Sequence, residues 1–302
     1  MFFSLACGVS AACAQSGDLD RQPPEQRDCR EETDPTAPLS HTRNTTYRPH
    51  IPSQARDRQI VFTCLTPVDA IPAQRGREAT WLIDVRRPEA FNANRIPGSI
   101  NIPLHLLKHR QDLKERPILL LNAGHRLRPL QEACAQLTAE GFPQVSVLDG
   151  GIKAWTEAGR AVTGDAATRA AVADLEPARF VSALAERAWT LIDLDGSARA
   201  LPPLPFTPET IAYGDDFSSL SARIAAAKTS RRPGRLTGFL VVSRDGAGYG
   251  SVKQRLLGQG SRDIYYLAGG VNGFKRFARQ QSAQLARQRK GFKVRMGCSG
   301  AT

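Results

Sequence analysis

The sequence predicts an α/β protein built of two similar domains, each a parallel sheet with helices on both faces. Three observations carry this expectation. Short apolar runs at Trp81-Leu-Ile-Asp-Val85, Pro117-Ile-Leu-Leu-Leu121 and Val145-Ser-Val-Leu148 have the continuous hydrophobicity of strands buried on both faces. A helical pattern separates the second run from the third, and strand, helix, strand in that order implies a parallel crossover. The same order returns about 110 residues further on, which points to an internal duplication. A chain of 302 residues has room for two cores of about 100–150 residues each.

Taken from the start, residues 1–14 are apolar and rich in small side chains, and they end in Ala12-Cys13-Ala14, a cleavage-site pattern. They read as a possible signal peptide, although no Lys or Arg precedes the apolar run, so the start is open to being truncated. Export is the expectation, to the periplasm if the source is bacterial, with the cytoplasm as the alternative. Residues 15–58 hold few large apolar side chains and read as a disordered leader. The first domain is expected over 59–163. In it Leu130, Ala133, Cys134 and Leu137 recur at the spacing of one helix face between Leu127 and Glu140. An alanine-rich stretch, 164–176, reads as a linker. The second domain, 177–282, repeats the pattern with strands at Trp189–Asp193, Gly238–Val242 and Ile264–Leu267 and a helix over Gly250–Leu257. Residues 283–302 read as a basic tail.

Lys and Arg number 41 against 29 Asp and Glu, a formal charge of +12, but the excess is spread along the chain. Its densest run, Arg287 to Arg295, falls in the tail, so the charge reads as a solvated surface and nucleic acid is not the expected partner. No run of 18 or more apolar residues predicts a membrane span. Of six cysteines, Cys7 and Cys13 lie in the signal-like segment, leaving Cys29, Cys64, Cys134 and Cys298. Their spacing fits neither a metal site nor a disulfide framework, and no cofactor is implied. In an exported protein, Cys29 could pair with Cys64 or Cys298. Cys134, on the helix core face, reads as a small buried hydrophobe.

Asp84-Val-Arg86-Arg-Pro-Glu89, followed by Arg95-Ile-Pro-Gly-Ser99 and Asn101-Ile-Pro103, resembles the signature of the rhodanese family, with Arg95 where that family usually has His. Gly150-Gly151-Ile-Lys-Ala-Trp155 resembles the family's closing Gly-Gly-x-x-x-Trp, and Gly269-Gly270-Val-Asn-Gly-Phe274 repeats it in the second half. The resemblance implies sulfurtransferase ancestry and a loop reading Cys-x-x-Gly-x-Arg between a strand end and a helix start. There, backbone N–H groups and the helix dipole favour an anion and make the cysteine a thiolate nucleophile.

The first loop reads Leu121-Asn122-Ala123-Gly124-His125-Arg126. Aligned without a gap it sets Leu121 at the cysteine position, with Gly124 and Arg126 keeping theirs; moved by one it sets Asn122 there. Neither side chain can carry sulfur. The second loop, Ser243-Arg244-Asp245-Gly246-Ala247-Gly248, places Ser243 at that position and an acid, Asp245, where an anion would be held. A noncatalytic module, a pseudoenzyme, is therefore expected. Asn122, Ala123, Gly124, His125 and Arg126 are the candidates for binding a small oxyanion such as sulfate or thiosulfate, with a protein partner as the other open role. Equally open is a purely local part, with Gly124 serving the turn and Arg126 paired to Glu89 or Asp84. Asp84, Arg86 and Glu89 read as structural, since a buried carboxylate needs a cation. The alternative function is sulfur transfer through Cys298, next to Lys293 and Arg295, or through a partner's thiol.

Overall fold

The computed structural model describes residues 46–50, 61–71, 80–214, 217–229, 236–257 and 263–291. The first half contains β1 (Leu65–Thr66), β2 (Trp81–Asp84), α1 (Pro88–Ala93), β3 (Asn94–Arg95), β4 (Ile100–Asn101), β5 (Ile118–Leu121), α2 (Arg128–Ala139), β6 (Val145–Leu148) and α3 (Gly151–Glu157). After β7 (Thr163–Gly164) and α4 (Ala166–Ala170), the second half contains β8 (Asp174–Leu175), α5 (Pro177–Ala183), β9 (Arg187–Asp193) and β10 (Glu209–Ala212). It closes with α6 (Phe217–Thr229), β11 (Leu236–Val242), α7 (Tyr249–Leu257), β12 (Ile264–Leu267) and α8 (Gly270–Gly291).

Each half holds a five-stranded sheet, ordered β1-β6-β5-β2-β4 in the first and β8-β12-β11-β9-β10 in the second. All pairings within the two sheets are parallel. The expected α/β architecture, two domains each with a parallel sheet flanked by helices, is what the chain adopts, and the strand orders match position for position.

The side-chain alternation of a strand explains why the apolar runs are continuous. In β5 Ile118 and Leu120 enter one core with Leu130, Cys134 and Leu137 of α2, whereas Leu119 and Leu121 enter another with Ile152 of α3. In the second half Leu240, Tyr265 and Leu267 face Phe180 of α5 and Phe274 of α8, and Phe239, Val241 and Tyr266 face Val252 of α7 and Ile224 of α6. Each fully buried aliphatic or aromatic side chain contributes about 1.5–3 kcal/mol, which is why both faces of these strands are predominantly apolar.

Several sequence expectations are revised. Cys134 is not a lone buried thiol: it forms a disulfide with Cys64, the residue before β1, across a separation of 70 residues. Closing a loop of that length restricts the unfolded chain by about 4 kcal/mol. Gln131, one turn earlier on α2, accepts from the Cys64 N–H (3.1 Å) and donates to Thr63 Oγ1 (3.1 Å), so the short edge strand is held from α2 three times over. The stretch 164–176 is not a plain linker. It carries α4, capped by the Asp165 side chain on the Thr168 N–H (2.7 Å), and β8, which is the edge strand of the second sheet.

Of the segment 15–58, residues 46–50 are described, and Tyr47 packs edge-on against Phe277 of α8 with its N–H on Ser282 Oγ (2.7 Å), so this part of the leader is docked. The tail expected from residue 283 begins inside α8, which continues to Gly291. The signal-like segment, the rest of the leader and residues 292–302 lie outside the described residues. No helix among the described residues is long and apolar enough to cross a membrane.

Candidate functional site

The two halves each place a loop between the end of the central strand and the next helix, 122–127 in the first and 243–248 in the second. Their ladders align them. Leu121 pairs with Asp84 and Val242 with Asp193, so Asn122 and Ser243 are the equivalent first residues of the two loops. The closing glycines give the same answer. The Ile152 N–H donates to the Asn122 carbonyl (2.8 Å), and the Val271 N–H donates to that of Ser243 (2.9 Å). Leu121, at the cysteine position in the ungapped alignment, is a fully buried core residue of β5. Of the two alignments, the one that starts the loop at Asn122 matches the second loop.

Both loops turn on a glycine in the left-handed region, Gly124 at φ 96° and Gly246 at φ 92°. At Gly124 the requirement is doubled, because a Cβ there would collide with the Gly150 carbonyl. This close approach accounts for the Gly-Gly motif: it lets α3 start against the loop. In each loop the first side chain takes the glycine N–H, with Asn122 Oδ1 accepting from Gly124 (2.7 Å) and Ser243 Oγ from Gly246 (3.0 Å). The Asn122 amide also donates to the Arg126 carbonyl, so its side chain is used to staple the turn.

The first loop is clamped from the second half of the chain. Arg187, the buried first residue of β9, donates to the carbonyls of Gly124 (2.7 Å) and His125 (3.3 Å) and to that of Thr237 (2.9 Å). Its guanidinium lies 5.4 Å from the centre of the Tyr265 ring, and the Tyr265 hydroxyl donates to the Gly124 carbonyl (3.0 Å). Asp263 stands 3.6 Å from Arg187 as counter-charge. The buried ammonium of Lys153 also lies over this ring, 4.7 Å from its centre, paired with Glu157 at 2.7 Å. The neighbouring Glu186 treats the loop's donors as Arg187 treats its acceptors: its carboxylate accepts from the Arg128 N–H at the start of α2 (3.1 Å) and from Arg126 Nε (3.2 Å).

Beside the loop is a cleft of about 590 Å³ lined by Asn122, Ala123, His125 and Arg126 together with Arg87, Arg179 and an apolar wall of Val85, Leu104, Pro129 and Leu130. The N–H groups of Ala123, His125 and Arg126 have no acceptor among the described residues. Burial, and then the charges of Arg179, Arg187 and Arg126, push the His125 imidazole down to about 3, so it is neutral across the physiological range. The positive character here comes from arginine alone.

The second loop has no comparable opening to anions. The Ser243 N–H donates to the Tyr249 hydroxyl (3.2 Å), the Arg244 N–H to Asp195 Oδ2 (2.9 Å), and the Ala247 N–H to Asp245 (2.9 Å). Asp195 stands two residues beyond Asp193, as Arg86 stands beyond Asp84, so a carboxylate replaces the cation of the first half. A hydrogen bond from Ser197, then that from the Arg244 N–H, keeps Asp195 below the usual carboxylate range.

The residues singled out in the sequence therefore divide. Asn122, Ala123, Gly124, His125 and Arg126 share one loop on one cleft. Asp84 is fully buried and held by Arg86 through both oxygens (2.6–3.0 Å), while Arg86 also reaches the Asn94 side chain (2.8 Å) and carbonyl (2.6 Å). Glu89 is exposed on the first turn of α1. Arg126 pairs with neither Glu89 nor Asp84: its partner is Glu186, brought from the other half of the chain. Cys298 lies outside the described residues. Among the described residues Cys64 and Cys134 are the only cysteines, and both sulfurs are in the disulfide. Sequence reasoning missed Arg87, Arg179, Glu186 and Arg187. Arg87 lies within a recognised motif without having been singled out, but the other three reach the loop only through the packing of the two halves.

Comparison with known proteins gives a consistent picture. A family profile described as "Rhodanese-like domain" matches residues 68–158. A thiosulfate sulfurtransferase GlpE of Pseudomonas syringae pv. syringae is 30% identical over 98 residues, which cover 30% of this chain and 90% of that protein. A sulfurtransferase of Allochromatium vinosum is 33% identical over 85 residues, covering 27% of this chain and 77% of that protein. Among solved structures, a rhodanese-like domain of the Alr3790 protein of Anabaena sp. is 31% identical, covers 30% of this chain and 69% of that chain, and has a TM-score of 0.27.

Proposed function

The chain belongs to the rhodanese-like family, and from that membership we propose that it is a noncatalytic tandem member that binds a small oxyanion at its first loop. The observation that carries the reading is the use of Asn122. It occupies the loop's first position, has no nucleophilic atom, and spends its side chain on the Gly124 N–H and the Arg126 carbonyl. Ser243, its counterpart, is buried with its hydroxyl on the Gly246 N–H, and a hydroxyl cannot form a persulfide. The disulfide removes Cys64 and Cys134 as sulfur carriers. It also supports an oxidising compartment outside the cytoplasm, where such bonds persist.

Oxyanion binding is supported by the N–H groups of Ala123, His125 and Arg126, which have no acceptor among the described residues, and by the exposed Arg87 and Arg179 beside them on the cleft. The second half supplies the clamp, and in its own loop the Ser243, Arg244 and Ala247 N–H groups are already paired. Thermal melts in nitrate, sulfate and thiosulfate at constant ionic strength test this. At a ligand concentration of 100 Kd, binding adds about 2.7 kcal/mol of stability. That gain should disappear in Arg179→Ala while the melt without added anion is unchanged. Thiocyanate formation from thiosulfate and cyanide that Cys298→Ser abolishes would replace this reading with sulfur transfer through the C-terminal cysteine.

A further inference from the structure

We infer that Glu186 is a built-in counter-charge that weakens the first loop's hold on doubly charged anions more than on singly charged ones. The inference rests on the anion-binding reading above and goes beyond it by naming the charge class of the ligand.

An anion at a loop-to-helix junction is normally held by the positive end of the helix and by an arginine at the loop's far end. Here both are already satisfied. The carboxylate of Glu186 accepts from the first N–H of the 12-residue helix α2 at 3.1 Å and from Arg126 at 3.2 Å. It does so at 4% side-chain exposure, where water screens little of its charge. Its position is fixed, because the next residue, Arg187, is locked by its bonds to Gly124, His125 and Thr237. Its ion-pair partner Arg126 is thereby engaged away from a ligand. Arg86 is committed to Asp84, Arg187 faces Asp263, and His125 is neutral, which leaves Arg87 and Arg179 to attract a ligand.

A fixed negative charge beside a site repels a dianion twice as strongly as a monoanion of the same shape and place. Removing it should therefore raise affinity for a dianion by the square of the gain for a monoanion. With a gain of about threefold for a monoanion, the dianion gains about tenfold. A merely structural Glu186 would change both affinities by the same factor or neither.

Titration calorimetry with nitrate and with sulfate, at constant ionic strength and neutral pH, tests this on the wild type, Glu186→Gln and Glu186→Asp. The glutamine keeps an acceptor for the Arg128 N–H and removes the charge; the aspartate keeps the charge. The expected result is sulfate tightening about tenfold in Glu186→Gln, nitrate about threefold, and an unchanged sulfate-to-nitrate ratio in Glu186→Asp. If the anions bind but the ratio is the same in Glu186→Gln as in the wild type, the selectivity role is wrong while the anion site stands. If neither anion binds any of the three proteins, the site itself is wrong and this inference goes with it. A melt of each variant establishes that it is folded at the temperature of the titration.

Discussion

At the scale of single residues, His125 is the loop side chain whose ionisation the fold changes most. Its side chain sits where three arginines converge, and burial with those charges takes its pKa down to about 3. In the unfolded chain an imidazole titrates near 6.5. Between those values the unfolded state holds a proton that the folded state does not, so stability falls as pH is lowered from about 6.5 toward 3. The slope approaches about 1.4 kcal/mol per pH unit. Urea midpoints from pH 7 to pH 4 should thus drop less steeply in His125→Gln than in the wild type; identical slopes would mean that the imidazole is solvated and charged. None of this was legible from the sequence. His125 could be placed in a loop, but two of its three arginine neighbours come from residues 179 and 187.

Individual elements were read with very different success, for physical reasons. The strands β5, β6 and β12 and the helix α2 were placed within a residue or so of their ends, because each is buried enough to carry a clear period or a continuous apolar run. The edge strands β1, β4 and β8 are two residues long, and no periodicity exists over two residues. The disulfide was missed for a related reason. Cys134 looked like any core residue of an amphipathic helix, and its partner Cys64 immediately precedes one of those unreadable edges. Reduction should remove the covalent one of the three ties from α2 and lower stability by about 4 kcal/mol. Denaturation with and without a reductant, in a Cys298→Ser background, measures it. An unchanged midpoint would show that the two sulfurs are not bonded.

At the scale of the whole molecule, the two halves share a strand order and a loop design but not a role. The second half keeps the glycine turn at Gly246 and the Gly269-Gly270 closure. In its own loop Tyr249, Asp195 and Asp245 accept from the N–H groups of Ser243, Arg244 and Ala247. In exchange it supplies Glu186, Arg187 and Tyr265 to the first loop, fixing the Gly124 and His125 carbonyls and the start of α2. The repeated order of strands and helices could be read from the sequence alone. The clamp could not, since its members are about 60 to 140 residues from the loop they hold. The proposed result is a fold in which a transfer loop has become a rigid binding loop.

That central claim meets its most direct test in the intact mass of the mature, oxidised protein after incubation with excess thiosulfate and removal of the donor. With no loop thiol and Cys64 bonded to Cys134, the mass should be unchanged. A stable gain of one sulfur atom would show that the chain still carries sulfur, and would contradict the noncatalytic assignment.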